Sequence, residues 1–250
     1  NIDIEDLKRK LHTSDVCKAL VIQHTFGLPA NIDEIRTIRA QNNIILIEDC
    51  AHSLGAEYGG FKVGNFGEAS FFSFSRDKII SSVYGGMAVT NDPLLAEKLQ
   101  QAQKEFGMPS IYWTMQQILH PILLHYLILP IYNFLDLGKI FLVFSQWFHV
   151  LSKAVSWKEK RGLRPNYFPK ALPNGLAMMA LNQFNKLEKF NSHRKKIADF
   201  YYDELKNTNF VLPVKNADKK DVYLRFTVKH SKAHDIIYEA WHKQNILLGD

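Results

Sequence analysis

The sequence predicts an α/β fold built on a mostly parallel sheet. Two short apolar runs, residues 16–23 and 44–49, have the length and composition of buried strands. Between them, residues 31–40 carry isoleucine at every third position behind Asn31, a suitable helix cap. Because a strand–helix–strand unit is almost always closed by a right-handed crossover, the two strands should lie parallel in one sheet.

The rest of the chain continues this alternation and then changes character. We expect the following elements: strands 69–75 and 86–90, helix 93–104, a long helix 176–205, strand 222–229 and helix 232–244. The apolar side of the long helix consists of Met179, Leu181, Phe184, Leu187, Phe190 and Ile197. The predicted division is a large domain over residues 1–105, an apolar helical insertion over 106–160, and a connecting helix with a small α+β domain over 161–250.

Composition narrows the class of protein. The chain has 250 residues, 46% of them hydrophobic and 22% charged, which is typical of a globular protein. Its net charge of +6 comes from Lys and Arg spread along the chain, whereas a nucleic-acid-binding face usually concentrates them. The two cysteines, Cys17 and Cys50, lie in apolar runs and predict a reducing, cytoplasmic location. Starting at Asn1 and stopping without a C-terminal signal, the sequence is expected to be a fragment cut at both ends.

An apolar stretch occupies the middle of the chain. Residues 106–135 contain no Asp, Glu, Lys or Arg, and residues 140–151 are again apolar. Prolines and histidines within 111–151 argue against a single transmembrane helix. Two interpretations stay open: a helical hairpin buried against the domain or a partner subunit, or a segment that lies in the membrane interface. In the second, anionic lipid would meet the flanking cations Lys153, Lys158, Lys160, Arg161 and Arg164.

Two residues suggest the chemistry. Asp49 ends a predicted parallel strand, the edge at which open α/β sheets place their ligands, and Lys78 follows the next strand. A lysine amine can bond covalently to an aldehyde cofactor. A carboxylate can hold the ring nitrogen of pyridoxal phosphate (PLP) in its protonated form. Taken singly, such an acid is more often a helix cap or a metal ligand, and such a lysine a solvated side chain.

Longer segments around these residues resemble the DegT/StrS family of sugar aminotransferases. The resemblance rests on residues 47–56 (IEDCAHSLGA), 64–67 (GNFG), 73–78 (SFSRDK) closed by Gly85 and Gly86, and 24–29 (HTFGLP). A looser likeness extends to residues 182–184 and 193–194. It implies a fold type I PLP-transferase: a three-layer large domain of mostly parallel sheet and helices, followed by a small α+β domain.

The resemblance also implies residue roles. Lys78 would bind the cofactor covalently and then move the proton, while Asp49 would pair with the ring nitrogen. Ala51 would lie against the ring face, His52 near the ring hydroxyl, and Ser73 would donate to the phosphate. For His52, a histidine satisfied inside the core is the alternative. No metal ion is expected.

Outside these roles, three residues have simpler explanations. Gly85 and Gly86 would let the backbone pass close to the cofactor, although a turn explains them equally well. We expect His24 to fix a loop.

The function implied is transfer of an amino group, from glutamate as donor, to a nucleotide-linked keto-sugar in a homodimeric enzyme. Dehydratases in the family carry histidine at the position of Lys78, so the amine favours amino transfer. The alternative is a catalytically inactive PLP-fold scaffold or sensor. A nicotinamide-binding domain is disfavoured, since no Gly-x-Gly-x-x-Gly follows the first strand.

The sequence departs from the family's pattern in places. The glycine loop for the phosphate and the aromatic residue stacked on the ring would lie before Asn1. Residues 165–173 do not match the segment whose asparagine reaches the partner subunit's cofactor, so neither Asn166 nor Asn174 is given that role.

Overall fold

The computed structural model describes residues 1–13, 17–132, 134–153 and 155–249. Its helices are α1 (Ile4–His12), α2 (Ile32–Asn42), α3 (Pro93–Phe106), α4 (Ile111–Leu123), α5 (Leu137–Trp147), α6 (Asn174–Phe184), α7 (Leu187–Leu205) and α8 (Ala233–Gln244). Its strands are β1 (Ala19–Gln23), β2 (Ile45–Asp49), β3 (Glu57–Tyr58), β4 (Phe61–Lys62), β5 (Ala69–Ser73), β6 (Gly86–Val89) and β7 (Lys219–Lys220).

The main sheet is mostly parallel, as predicted. Its strand order is β1-β2-β5-β6, in which β1, β2 and β5 run parallel and β6 runs antiparallel to β5. The predicted strand-helix-strand unit is confirmed as β1-α2-β2, although β1 begins at Ala19 rather than residue 16, which lies outside the described residues. The carboxyl ends of three neighbouring parallel strands therefore meet along one edge of the sheet.

One face of this sheet is packed against α2. Ile32, Ile35 and Ile38 are buried there together with Leu46 of β2, because isoleucines three apart share one side of the helix. Each buried isoleucine contributes about 1.5–3 kcal/mol relative to an exposed one. Asn31 occupies the cap position, but no backbone N–H of the helix donates to its side chain.

The opposite face of the sheet is more open. Val21, Ile45 and Phe71 are 55%, 50% and 40% exposed on it. Because side chains alternate along a strand, Asp49 shares this face with Ile45 and Ile47.

A second core joins the turns that follow the strands to residues of the C-terminal half of the chain. It contains Cys50, Val63, Phe74, Ile79, Ile80, Ala180 and Val222. A small sheet adds to this connection, since β7 pairs antiparallel with β3, which pairs with β4. The C-terminal part of the chain thus packs directly beside the edge of the main sheet.

The predicted long helix is two helices, α6 and α7, rather than one. Lys186 lies between them with φ −104° and ψ 1°, and its N–H donates to the Gln183 carbonyl, three residues back instead of four. The break changes which side is buried, so the predicted apolar side is wrong in part. Leu181, Phe184 and Ile197 are 61%, 49% and 42% exposed.

The predicted strand 222–229 is also wrong, since only Lys229 makes a β-bridge, with Val211. Tyr223 adopts φ +48°, which interrupts an extended chain. The Val222 N–H donates to the Gly27 carbonyl at 3.0 Å, so this apolar segment is used for packing and not for strand pairing. The helix predicted at 232–244 is confirmed as α8.

The apolar middle folds as a helical hairpin. From α4 the chain passes into one π-helical turn at residues 124–128, then turns and returns as α5. The Tyr112 hydroxyl and the Gln116 amide both donate to the His149 carbonyl and close the base of the hairpin. The hairpin architecture of the first interpretation is present, but much of its apolar surface is exposed rather than buried. Among the described residues, no helix has both the length and the apolar character needed to cross a bilayer.

Gly27 allows the C-terminal segment to approach the main sheet. It has φ +87°, and an added Cβ would lie 2.8 Å from Val222 Cγ2 and 3.0 Å from the Tyr223 nitrogen. Gly60 has a similar φ of +82°, but an added Cβ would meet nothing within 4 Å.

We expect Gly60→Ala to lower the free energy of unfolding by about 1 kcal/mol for the left-handed backbone, and Gly27→Ala to lower it by about 3 kcal/mol because a clash is added. Urea unfolding of both variants measures the difference. Equal losses would contradict the prediction, because they would show that residues 222–224 move aside without cost.

Candidate active site

Asp49 is held in a fixed orientation at the end of β2. The Ala51 N–H donates to its Oδ1 at 2.9 Å, and the Gln23 side-chain amide donates to its Oδ2 at 2.8 Å. Each carboxylate oxygen accepts one bond and keeps a lone pair for a further donor. Gln23 was not predicted as a site residue. It ends β1 directly opposite Asp49, a neighbour that becomes visible only once the register of the two strands is known.

Lys78 and His52 meet at this edge of the sheet. The Lys78 Nζ lies 3.1 Å from His52 Nε2 and 3.7 Å from Asp77 Oδ1, and the lysine side chain is only 16% exposed. The positive charge of Lys78 and the negative charge of Asp49 both act on the His52 ring. The sequence-predicted residues Asp49, Ala51, His52 and Lys78 are therefore brought together.

His52 is fixed from its other side by Phe26. The Phe26 N–H donates to His52 Nδ1 at 3.3 Å, and the two rings are stacked with centroids 5.7 Å apart. Nδ1 therefore acts as an acceptor, and Nε2 is the ring atom that faces Lys78. Burial, and then the charge of Lys78, lower the pKa of His52 and favour the neutral ring. Phe26 adopts φ +56°, a strained conformation at a position that aligns a site residue.

Ser73 lies at the end of the neighbouring strand β5, slightly apart from this group. Its hydroxyl is 3.1 Å from that of Ser75, and both serines line a cavity of about 930 Å³ beside β6. Asp49, His52 and Lys78 do not line this cavity, whose walls are largely apolar. The structure therefore places the hydroxyl near the site without showing a shared cavity.

Glycine is required at positions 85 and 86 because neighbouring parts of the protein leave no room for a side chain. An added Cβ at Gly86 would lie 2.6 Å from the Phe72 carbonyl oxygen, and one at Gly85 would lie 2.8 Å from Leu172 Cδ1. Gly85 also has φ +134°. Close approach of strand and loop within the protein accounts for both glycines, an explanation that differs from the two expected from sequence.

Two loops that carry site residues are held by the same helix, α7. The Asn191 amide donates to the Leu54 carbonyl at 3.2 Å, and Arg194 Nη2 donates to the Ile79 carbonyl at 2.7 Å. Arg194 Nη1 also donates to Asn191 Oδ1 at 2.8 Å. Leu54 follows His52 and Ile79 follows Lys78, so α7 fixes their relative position.

Behind Asp49, a buried carboxylate organises the surrounding loops. Glu48 Oε2 accepts from Gly64 N–H at 2.8 Å and from His24 Nε2 at 3.0 Å, while Oε1 accepts from Phe66 and Gly67 N–H at 2.6 and 2.8 Å. Burial alone would raise the pKa of Glu48, but the bonds from His24, Gly64 and Gly67 outweigh it and lower the pKa.

His24 fixes a loop, as expected from the sequence. Its Nδ1 accepts from the Ala30 N–H at 3.1 Å, so its Nε2 carries the proton donated to Glu48. With Cys50, these two residues bring possible metal-ligand atoms within 4.8 Å of one another. However, both ring nitrogens of His24 are already used, and burial followed by the Glu48 charge raises the pKa of the Cys50 thiol. Hydrogen bonding within the protein accounts for this cluster.

The apolar hairpin is attached to the loop that carries Lys78. Arg76 Nη1 donates to the Ser152 carbonyl at 3.0 Å, and Nη2 donates to the Ser152 hydroxyl. The same hydroxyl donates to Gln117 Oε1 at 2.6 Å. Arg76 stands two residues before Lys78, so residues on both sides of the hairpin base support the lysine loop.

The fold described above is that of aminotransferases with solved structures. A crystal structure of a DegT DnrJ EryC1 StrS aminotransferase from Brucella abortus superposes with a TM-score of 0.67 at 18% identity, covering 98% of this chain and 54% of that one. GDP-perosamine synthase of Vibrio cholerae is 38% identical over 97 residues, 39% of this chain and 26% of that protein. L-glutamine:2-deoxy-scyllo-inosose aminotransferase of Streptomyces kanamyceticus is 38% identical over 88 residues, 35% and 21% of the two chains.

The chain belongs to the DegT/DnrJ/EryC1/StrS aminotransferase family, whose sequence profile matches residues 1–121 and 159–248. Residues 122–158, which include most of the apolar hairpin, fall outside the match. The chain spans about half the length of the solved structure it resembles.

Glu48→Gln tests the role of the buried carboxylate. A neutral amide replaces a charged acceptor and turns a donor towards backbone N–H groups, so we expect a loss of about 2–4 kcal/mol in the free energy of unfolding. Glu188→Gln, at a side chain that is 78% exposed, is the matched control and should lose less than about 0.5 kcal/mol.

The loss should also depend on pH. The folded pKa of Glu48 lies below its ordinary value of 4.5, so its ionisation stabilises the fold above pH 4.5. That contribution fades as pH falls through the folded pKa, and the difference between the wild type and Glu48→Gln should shrink. A difference that stays constant down to pH 3 would contradict an ionised Glu48.

Proposed function

We propose that the complete protein transfers an amino group, with PLP as cofactor and glutamate as donor, to a nucleotide-linked keto-sugar. The observation that carries the proposal is the amine of Lys78, 3.1 Å from His52, at the sheet edge where the Asp49 carboxylate is held. Family membership supports it, since this is a family of sugar aminotransferases. Because the chain spans only part of its relatives, the activity is proposed for the complete protein.

The residues present fit PLP. A carboxylate with a free lone pair on each oxygen suits a pyridinium N–H, and a largely buried amine suits an aldehyde. PLP, when bound, supplies an electron sink for breaking bonds at the substrate's α-carbon. Asp49 would accept the ring N–H, and Lys78 would hold the cofactor and then carry a proton at Nζ.

The remaining site residues would shape the cofactor site and orient the ring. Ala51 would lie against the ring face, where a larger side chain would displace the ring. His52 would present Nε2, the same atom that faces Lys78, to the ring hydroxyl. Ser73 would donate its hydroxyl to the phosphate.

The names of relatives support the substrate class, whereas the amino donor has to be determined by experiment. GDP-perosamine synthase is named for a nucleotide-linked amino sugar, which supports a nucleotide-linked keto-sugar as acceptor here. The Streptomyces relative is named for glutamine as donor. Glutamate and glutamine should therefore be compared side by side, with faster turnover expected for glutamate.

Two further features belong to the same proposal. A homodimer is expected, with each active site at the subunit interface. A cytoplasmic location is expected because Cys17 and Cys50 are both free thiols.

Lys78→Ala tests the cofactor and the reaction together in the full-length protein. Borohydride treatment should fix PLP to the peptide containing residue 78 in the wild type and not in the variant, and mass spectrometry reads the difference. Turnover of keto-sugar nucleotides should fall at least about 1,000-fold, since the amine both binds and moves the proton. Lys62→Ala, at a lysine that is 54% exposed, is the control and should keep both properties.

The result also separates the alternatives. Fixation of PLP on Lys78 without turnover of any keto-sugar nucleotide would favour the inactive scaffold or sensor. Absence of fixation in the full-length wild type would overturn the cofactor assignment.

Asp49→Asn tests the ring-nitrogen contact. The amide cannot stabilise a positive charge on the ring, so we expect turnover to fall about 100-fold or more. PLP should still be fixed on Lys78, since the amine is unchanged. Equal turnover in the wild type and the variant would contradict the assigned role.

A further inference from the structure

We propose that the hairpin of α4, residues 124–128 and α5 docks on the anionic surface of a lipid bilayer. The proposal is independent of the proposed amino transfer, because it concerns an exposed surface whose central part, residues 122–158, lies outside the match to the family. It rests on exposed apolar side chains, on their aromatic character, and on a basic flank without acidic partners.

The first half of the hairpin presents an apolar face. Ile111, Met115 and Ile122 are 83%, 49% and 47% exposed. Positions four and seven apart lie on the same side of a helix, so these side chains form one stripe along α4. A buried packing surface would hide such a stripe, and here it faces outwards.

The second half repeats the pattern with aromatic residues. Phe144, Trp147 and Phe148 of α5 and its C-terminal end are 50%, 69% and 65% exposed. A groove of about 690 Å³ runs beside them, and apolar side chains from Leu123 to Val150 form nearly all of its lining. Aromatic rings are enriched at the membrane–water interface, and an apolar groove of this kind suits an acyl chain.

Basic residues follow the hairpin directly. Among the described residues, none of these five cations forms a salt bridge with an acid: Lys153, Lys158, Lys160, Arg161 and Arg164. Trp157 stands among them, 60% exposed, with Lys158 and Arg161 at 5.9 and 5.4 Å from its ring centre. Cations without an acidic partner, beside exposed aromatic side chains, match anionic lipid headgroups.

A bilayer fits this surface better than a second copy of the chain. The acids of residues 106–164 are Asp136, bonded to Lys139 at 2.7 Å, and Glu159, bonded to the Ser156 N–H and the Tyr167 hydroxyl. A symmetric contact between two copies would offer the cations only each other and these occupied acids. Lipid phosphates supply the missing negative charge.

Vesicle binding of the full-length protein tests the proposal. We expect co-sedimentation with vesicles of phosphatidylglycerol and phosphatidylcholine, at least tenfold weaker binding to phosphatidylcholine alone, and release by high salt. Trp147→Glu and the pair Lys160→Glu with Arg161→Glu should each weaken binding at least tenfold. Brominated lipids should quench tryptophan fluorescence in the wild type more than in Trp147→Phe.

Matched variants on α7 serve as controls. Phe200→Glu changes an aromatic side chain that is 61% exposed, and Lys189→Glu with Lys196→Glu changes the net charge by the same amount as the basic pair. Both controls should bind vesicles like the wild type. Circular dichroism melting establishes that every variant is folded.

Three outcomes would overturn the proposal. One is the absence of binding to anionic vesicles, and another is a loss of binding in the controls equal to that in the hairpin variants. The third is a dimer, measured by sedimentation velocity, that Trp147→Glu dissociates, since a second copy would then cover the hairpin.

Discussion

The rest of the site depends on the hydrogen bonds that the buried carboxylate of Glu48 accepts. Removing such a group from water costs several kcal/mol unless donors replace the lost hydration. Three backbone N–H groups and His24 do so here, and they come from the end of β1 and from residues 64–67. These segments cannot move independently without leaving a buried charge unsatisfied.

The same interaction determines where Asp49 points. Successive side chains of a strand face opposite sides of the sheet, so Glu48 buried on one face places Asp49 on the other. A slip of one residue would exchange the two carboxylates, burying Asp49 among donors arranged for Glu48. The orientation of the proposed cofactor acid is therefore fixed by its neighbour on the opposite face, together with Gln23 and the Ala51 N–H.

The parts of this structure that could be predicted from sequence are those set by local patterns. The β1-α2-β2 unit follows from apolar runs and isoleucine spacing, and the placement of Asp49 and the Lys78 loop at one edge of the sheet follows from parallel strands. Gln23 was not predicted as a site residue, because its role depends on the register between two strands. The role of Phe26 was not predicted either, because its left-handed backbone depends on contacts that no short sequence pattern encodes.

The two wrong elements have related causes. The helix break at Lys186 changes the buried side from one helix to the next, which a continuous apolar pattern conceals. The segment 222–229 alternates like a strand, but Val222 and Leu224 pack beside Gly27 and into the second core. In both cases long-range packing decided the conformation over local preference.

The base of the hairpin is hydrogen-bonded to the loop that carries Lys78. Arg76 is half-buried, burial lowers its pKa, and among the described residues its hydrogen bonds go to neutral oxygens of Ser152. A guanidinium in that setting loses its partners if the hairpin moves away, so the lysine loop and the hairpin base are energetically coupled. Contact made by the exposed face of the hairpin would consequently act on the loop that carries Lys78.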